Sequence, residues 1–222
     1  MPDGFPEIRV DAQVHEVGPG LVLGCVRAAV VTEPGSAALW AAMNTAGERA
    51  AAAVAEPASH PAIAALRDLY RRLGKEPSRY RGSPEALLRR VKAGKGLYRI
   101  HNVVDVINLV SLETLLPIGL YDLARVRPPV VFRRGGEGES YDGIGKERLN
   151  LEGLPVLADA EGPFGSPTSD SQRTMITPAA RDILAVVFGV TGRAELEPAA
   201  GLLAGHLRRH ASAQGVEVRF VE

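Results

Sequence analysis

Residues 102–115, NVVDVINLVSLETL, constrain this chain more than any other segment. Apolar residues at Val103, Val104, Val106, Ile107, Leu109, Val110 and Leu112 leave only a thin polar line of Asp105, Asn108 and Ser111. A helix that is apolar on nearly every side must be covered on nearly every side. The chain must therefore fold several elements around Asn102–Leu115. Asn102 is placed to cap that helix, and Leu116-Pro117 to end it. A buried carboxylate requires a partner, so Asp105 should be hydrogen-bonded or paired. It reads first as a cap for a neighbouring loop's amides. Otherwise Asp105 and Asn108 line a pocket and hold an ammonium or a hydroxyl.

The remaining pattern predicts an α+β chain, with helices packed against an antiparallel sheet or small barrel. Residues 7–15 alternate Ile8, Val10, Ala12 and Val14, as in a half-buried strand, and Leu21–Val31 reads as a buried one. Residues 36–56 and Pro61–Leu73 carry helical patterns, and Ser83-Pro84-Glu85 should cap a helix running through Lys92. After Pro117 come short β-rich runs at Pro129–Arg133, Val156–Ala158 and Ile183–Val190. A helix over Glu195–His210 and a strand over Val216–Val221 follow. With 222 residues and no repeat, one domain over 1–222 is the simplest expectation.

Charge is unevenly placed. The chain balances 26 basic against 26 acidic residues, yet residues 65–100 hold eleven basic and three acidic, an excess of eight. Arg79, Arg81, Arg89, Arg90, Lys92, Lys95 and Arg99 make the candidate RNA-binding segment. Guanidinium forks suit phosphate oxygens, giving salt-sensitive and sequence-independent affinity. The alternative is a solvated face paired with surplus acids elsewhere. A second polar cluster, GSPTSDSQRT at 165–174, gathers hydroxyls around Asp170 and Arg173. Such a loop can read sugar hydroxyls or a carbonyl, and Arg173 can meet a phosphate; it can equally be a polar surface turn.

Other signals are weaker. Gly135-Gly136-Glu137-Gly138 lacks the lysine ending of a phosphate loop and reads as a hairpin turn. His206 and His210 share a helix face without an evident third metal ligand. The single cysteine, Cys25, sits in an apolar run and reads as core. One tryptophan, Trp40, argues against a broad base-stacking surface. No cofactor, metal or membrane association is expected. A cytoplasmic location is expected from the lone cysteine and the absence of a leader pattern.

The run VVDVINLVSLETLLPIGLYDL at 103–123 resembles the B3/4 domain of the phenylalanyl-tRNA synthetase beta subunit. The likeness continues through Val130–Glu139, Leu154–Asp159 and the segment from Gly165, so that 76–190 forms a B3/4-like core. Upstream, SRYRGSPEALLRRVKAGKGLYRIHNVVD is similar to freestanding members of this family. The resemblance implies tRNA as the partner, through its acylated 3′ end, and hydrolysis of mischarged tRNA as the activity. A binding module for tRNA or a free amino acid, without catalysis, is the alternative.

Carried over by position, Asp105, Asn108, Tyr121 and Asp122 match motif positions and would bind substrate together with Arg173. Asp170, Ser171 and Thr174 would position substrate and water. The family's pocket histidine falls on Gly119, and its pocket glutamate falls near Val186. These roles require a pocket bordered by both the 103–115 helix and the 165–174 loop.

Overall fold

In the computed structural model, which describes residues 4–145 and 147–222, two four-stranded sheets and a helical layer stack on one another. The first sheet contains β2 (Val22–Ala29), β3 (Ile118–Asp122), β9 (Asp182–Gly189) and β10 (Gln214–Val221), in the order β10-β2-β9-β3 and antiparallel throughout. The second contains β1 (Ile8–Val10), β4 (Val130–Arg134), β7 (Pro155–Asp159) and β8 (Gly162–Gly165), in the order β1-β4-β7-β8. Strand β1 joins it parallel to β4. A hairpin of β5 (Ser140–Asp142) and β6 (Arg148–Asn150) flanks it. The fold is thus mixed α+β with largely antiparallel sheets. Both sheets are open, so the small-barrel alternative gives way to stacked layers.

The first sheet lies in the middle, which is why its inner strands β2 and β9 read as continuous apolar runs, while the edge strand β10 is largely exposed. On one face Val22, Val26, Ala28, Ala185 and Val187 pack with α2 (Ala37–Ala53), α5 (Asn102–Thr114) and α6 (Arg193–His210). On the other, Leu23, Cys25, Leu184 and Val186 meet Phe132, Leu157 and Phe164 of the second sheet. Two further helices border these layers, α3 (Pro61–Arg72) and α4 (Ser83–Lys92). The α5 helix is buried from Asn102 to Leu112 except at Val104 and Asn108, as its composition demands.

Several boundaries depart from expectation, each for a local reason. Residues 7–15 do not form one strand. Asp11 accepts a hydrogen bond from Gln13 N at 2.9 Å and caps a short helix α1 (Ala12–Val17), which still buries Val14. The α5 cap is His101, whose Nδ1 accepts from Val104 N at 3.4 Å. Asn102 does different work. Its Nδ2 donates to Val31 O at 2.8 Å and His210 O at 3.0 Å, while Oδ1 accepts from Glu33 N at 3.0 Å. One side chain so ties the end of β2, the start of α5 and the end of α6 together.

Ser83 is the first helical residue of α4 rather than its cap; Gly82 holds that position, and Ser83 N donates to Pro167 O at 3.0 Å. The Gly135–Gly138 segment turns, but it is not a hairpin. Its flanking strands pair elsewhere, β4 with β7 and β5 with β6.

Candidate functional site: a loop closed over a buried phenol

The loop after β8 is built around Ser166. Its Oγ donates to Ser169 O at 2.9 Å and accepts from Ser169 N at 3.2 Å and Thr168 N at 3.3 Å. Ser, Thr and Asp side chains fold loops this way because their oxygens substitute for absent backbone partners. Three buried tyrosines, of the chain's five, support the loop from beneath. Tyr70 Oη lies 2.7 Å from Thr168 Oγ1, and Tyr141 Oη donates to Ser166 Oγ at 3.3 Å and to Ser169 O. Tyr121 Oη donates to Asp170 Oδ1 at 2.8 Å, and Leu120 N donates to Asp170 Oδ2 at 3.1 Å.

Tyr121 lies completely buried in a slot between two glycines. A Cβ on Gly119 or on Gly165 would overlap its phenol oxygen, so the ring can lie there only because both residues lack side chains. Phe164 packs on it edge to face, with centroids 4.8 Å apart and an interplanar angle of 88°. Burial, and next the Asp170 carboxylate, raise the Tyr121 phenol well above the ordinary tyrosine range. It is therefore a neutral hydrogen-bond donor. The space above Gly119 is filled from within the chain.

The other candidate residues fall into separate neighbourhoods. Ser171 is 3% exposed, and its Oγ accepts from Arg173 N at 3.1 Å. Thr174 is fully buried against Phe164 O. Arg173 grips Asp159, with Nη2 to Oδ1 at 2.8 Å, and Glu161 at 3.1 Å, so its charge is spent within the fold. Asp122 caps the turn Leu123–Arg125 by accepting from Ala124 N at 3.0 Å. Asp105 Oδ1 accepts from Ile100 N at 3.1 Å beneath the loop before α5. Desolvation raises its carboxyl, with the Ile100 amide and the Arg99 charge opposing. Asn108 is half-buried on the same helix.

Asp105 and Asp170 thus serve different loops. A polar depression of about 340 Å³ is lined by Tyr141, Asp142, Arg148, Ser171 and Gln172 among others. A larger groove of about 550 Å³ runs between α2 and the last turn of α5. Neither Asp105 nor Asp170 is in the lining of either.

The basic segment is also redistributed. Arg89 pairs with Glu85 at 3.0 Å and Glu56 at 2.7 Å. Arg90 donates to Gly96 O at 2.7 Å and Lys95 O at 3.1 Å, Lys92 to Val54 O at 2.8 Å, and Arg99 to Gly35 O at 3.2 Å. Arg79, Arg81 and Lys95 are exposed, and among the described residues their side chains make no ion pair.

Sequence reasoning missed Tyr70 and Tyr141, which contact the loop from 98 and 25 residues away. Only a hydroxyl-rich loop in need of buried partners pointed toward them.

A layered α+β module with a loop folded over a tyrosine slot is what the geometry defines. The B3/4 domain family model matches residues 65–196, more than half of the chain, and the protein belongs to that family. It is 40% identical over 83 residues to the phenylalanine–tRNA ligase beta subunit of Symbiobacterium thermophilum, covering 36% of this chain and 9% of that one. It is 29% identical over 129 residues to the corresponding subunit of Pyrobaculum aerophilum, covering 48% of this chain and 24% of that one. The chain therefore spans a quarter or less of these relatives. An N-terminal fragment of the phenylalanyl-tRNA synthetase beta subunit from Pyrococcus horikoshii superposes with a TM-score of 0.49 at 14% identity, over 96% of this chain and 50% of that one.

Proposed function

We propose that this protein is a tRNA-binding B3/4 module that recognises the acylated 3′ end without an open hydrolytic pocket. The observation that carries this reading is the slot at Gly119 and Gly165, occupied by the chain's own Tyr121 with its hydroxyl on Asp170. Membership of a family whose relatives here are tRNA ligase subunits supports a nucleic-acid partner. Exposed Arg79, Arg81 and Lys95 supply uncommitted positive charge for phosphates. The polar depression beside Ser171 and Gln172 is the place for a small polar group such as an amino acid.

A second reading, deacylation of mischarged tRNA, is favoured by the pairing of a carboxylate with a hydroxyl at one spot. Asp170 would take a proton from water as its oxygen bonds to the ester carbonyl. It would return that proton to the departing ribose oxygen. Tyr121 must first turn away from Asp170.

One set of assays tests both. Salt-dependent binding of bulk tRNA, weakened and with a lower salt slope in Arg79→Ala/Arg81→Ala, is expected. Absence of tRNA binding in low salt would overturn the proposal. Release of amino acid from any mischarged tRNA, abolished by Asp170→Asn, would replace it with the second reading.

A further inference from the structure

We propose that Tyr98, backed by Arg90, is a stacking platform for an unpaired nucleobase, which rests on the tRNA-binding reading above. The segment between α4 and α5 is irregular over residues 95–100, with Gly96 at a positive φ of 63°, and it is anchored through Leu97 and Arg99. Leu97 packs over Gly47, where a Cβ would meet Leu97 Cδ1 at 3.6 Å. Arg99 holds Gly35 O at 3.2 Å and lies over Trp40 at 5.3 Å. Half-buried Leu97 and the exposed Arg99 hold the segment against Gly35, Trp40 and Gly47, and Tyr98 and Ile100 stay in solvent. Tyr98 is 58% exposed and Ile100 59%. Tyr98 is the one aromatic among the exposed large apolar side chains of the described residues.

The ring is also preorganised. Arg90 lies 3.8 Å from its centroid, and the guanidinium is itself clamped by Gly96 O and Lys95 O. A planar cation under one side of a phenol, with most of the residue still in water, is a half-built stack. A base completes it with little entropy left to lose.

Charge selects the occupant. Arg90 and Lys92 satisfy their donors with carbonyls, and Lys95 makes no ion pair among the described residues. Arg90 thus brings its charge to the ring with no ion pair of its own among the described residues. Helix α4 spans about 15 Å at 1.5 Å per residue. Arg79 and Arg81 precede one of its ends, and the Tyr98 platform follows the other. A polyanion with an unpaired base matches this spacing; an apolar peptide does not use the cations.

The test is equilibrium binding of the full chain to a fluorescein-labelled single-stranded oligoribonucleotide of about ten nucleotides, to whole tRNA and to a blunt RNA duplex. Tyr98→Ala should weaken the single strand roughly 5- to 150-fold, the loss of about 1–3 kcal/mol from one base–aromatic stack. Tyr98→Phe should bind like the wild type, and the salt slope should stay unchanged in both. Arg79→Ala/Arg81→Ala should lower that slope instead. Wild-type binding of tRNA with no loss in Tyr98→Ala would overturn the platform and leave the tRNA reading intact, turning Tyr98 toward a protein partner. Equal loss for duplex and single strand would overturn it too. Failure of the wild type to bind any of the three RNAs would remove both.

Discussion

Replacing Tyr121 with phenylalanine isolates the hydrogen bond at the centre of the site. The ring keeps its slot between Gly119 and Gly165 and its edge contact with Phe164. What disappears is one donor to Asp170 Oδ1 at 2.8 Å. A hydrogen bond to a charged partner is worth about 1.5–3 kcal/mol net. At about 2–4 °C per kcal/mol for a chain of this size, the melting temperature should fall by roughly 3–12 °C. Thermal unfolding followed by circular dichroism, with urea titration for the free energy, measures it.

A double-mutant cycle with Asp170→Asn should return a coupling of about 1 kcal/mol or more, because the two groups share the bond. Alkaline pH gives a second check. The folded-state phenol is raised above the unfolded one, so its contribution is fully present below about pH 10 and is lost as pH rises further. Tyr70 and Tyr141, raised by burial, add losses of the same sign. Tyr121→Phe should therefore lose less stability between about pH 10 and 12 than the wild type, by up to about 1.4 kcal/mol per unit. A variant within about 0.5 kcal/mol of wild type at neutral pH, with an unchanged alkaline slope, would refute the reasoning.

Other contacts in the fold respond to perturbation in the same way. Glu85 is 1% exposed and held by Arg67 at 3.1 Å and Arg89 at 3.0 Å. Arg67→Ala should cost about 2–3 kcal/mol, less than a fully broken buried pair because Arg89 remains; an unchanged urea midpoint would contradict this. Gly189→Ala would drive a methyl into Leu196 Cδ1. It should destabilise by about 1–3 kcal/mol, and Gly189→Ala/Leu196→Ala should cost less than the sum of its single variants if the contact is the cause. Cys25 is fully buried, and burial pushes its thiol up from 9.0 to about 12. Stability should thus decline as pH rises through that interval, less steeply in Cys25→Ala, and thiol reagents should label Cys25 only on unfolding.

What the sequence alone determined was local periodicity and its burial. The apolar surround of Asp105, Asn108 and Ser111 demanded a covered helix, and α5 is covered on its sheet side and by α2 and α6. Asp105's need for a partner was equally legible, because a buried carboxylate has few solutions. The motif spacing over 103–190 carried the family, within the matched 65–196. Side-chain bookkeeping across long separations could not be read. Asn102 looked like a cap, yet its amide is spent on Val31 and His210, which only the stacking of β2 and α6 brings within reach.

The basic segment looked like one surface. The fold instead divided it, setting Arg89 on buried Glu85 and Arg90 under Tyr98, while Arg79 and Arg81 stayed in solvent. Gly119 gives the clearest contrast. From sequence it was an absent side chain; in three dimensions it is the floor of a slot that Tyr121 fills. Close packing decides such questions, since the volume left by one residue is claimed by whichever neighbour the topology places beside it.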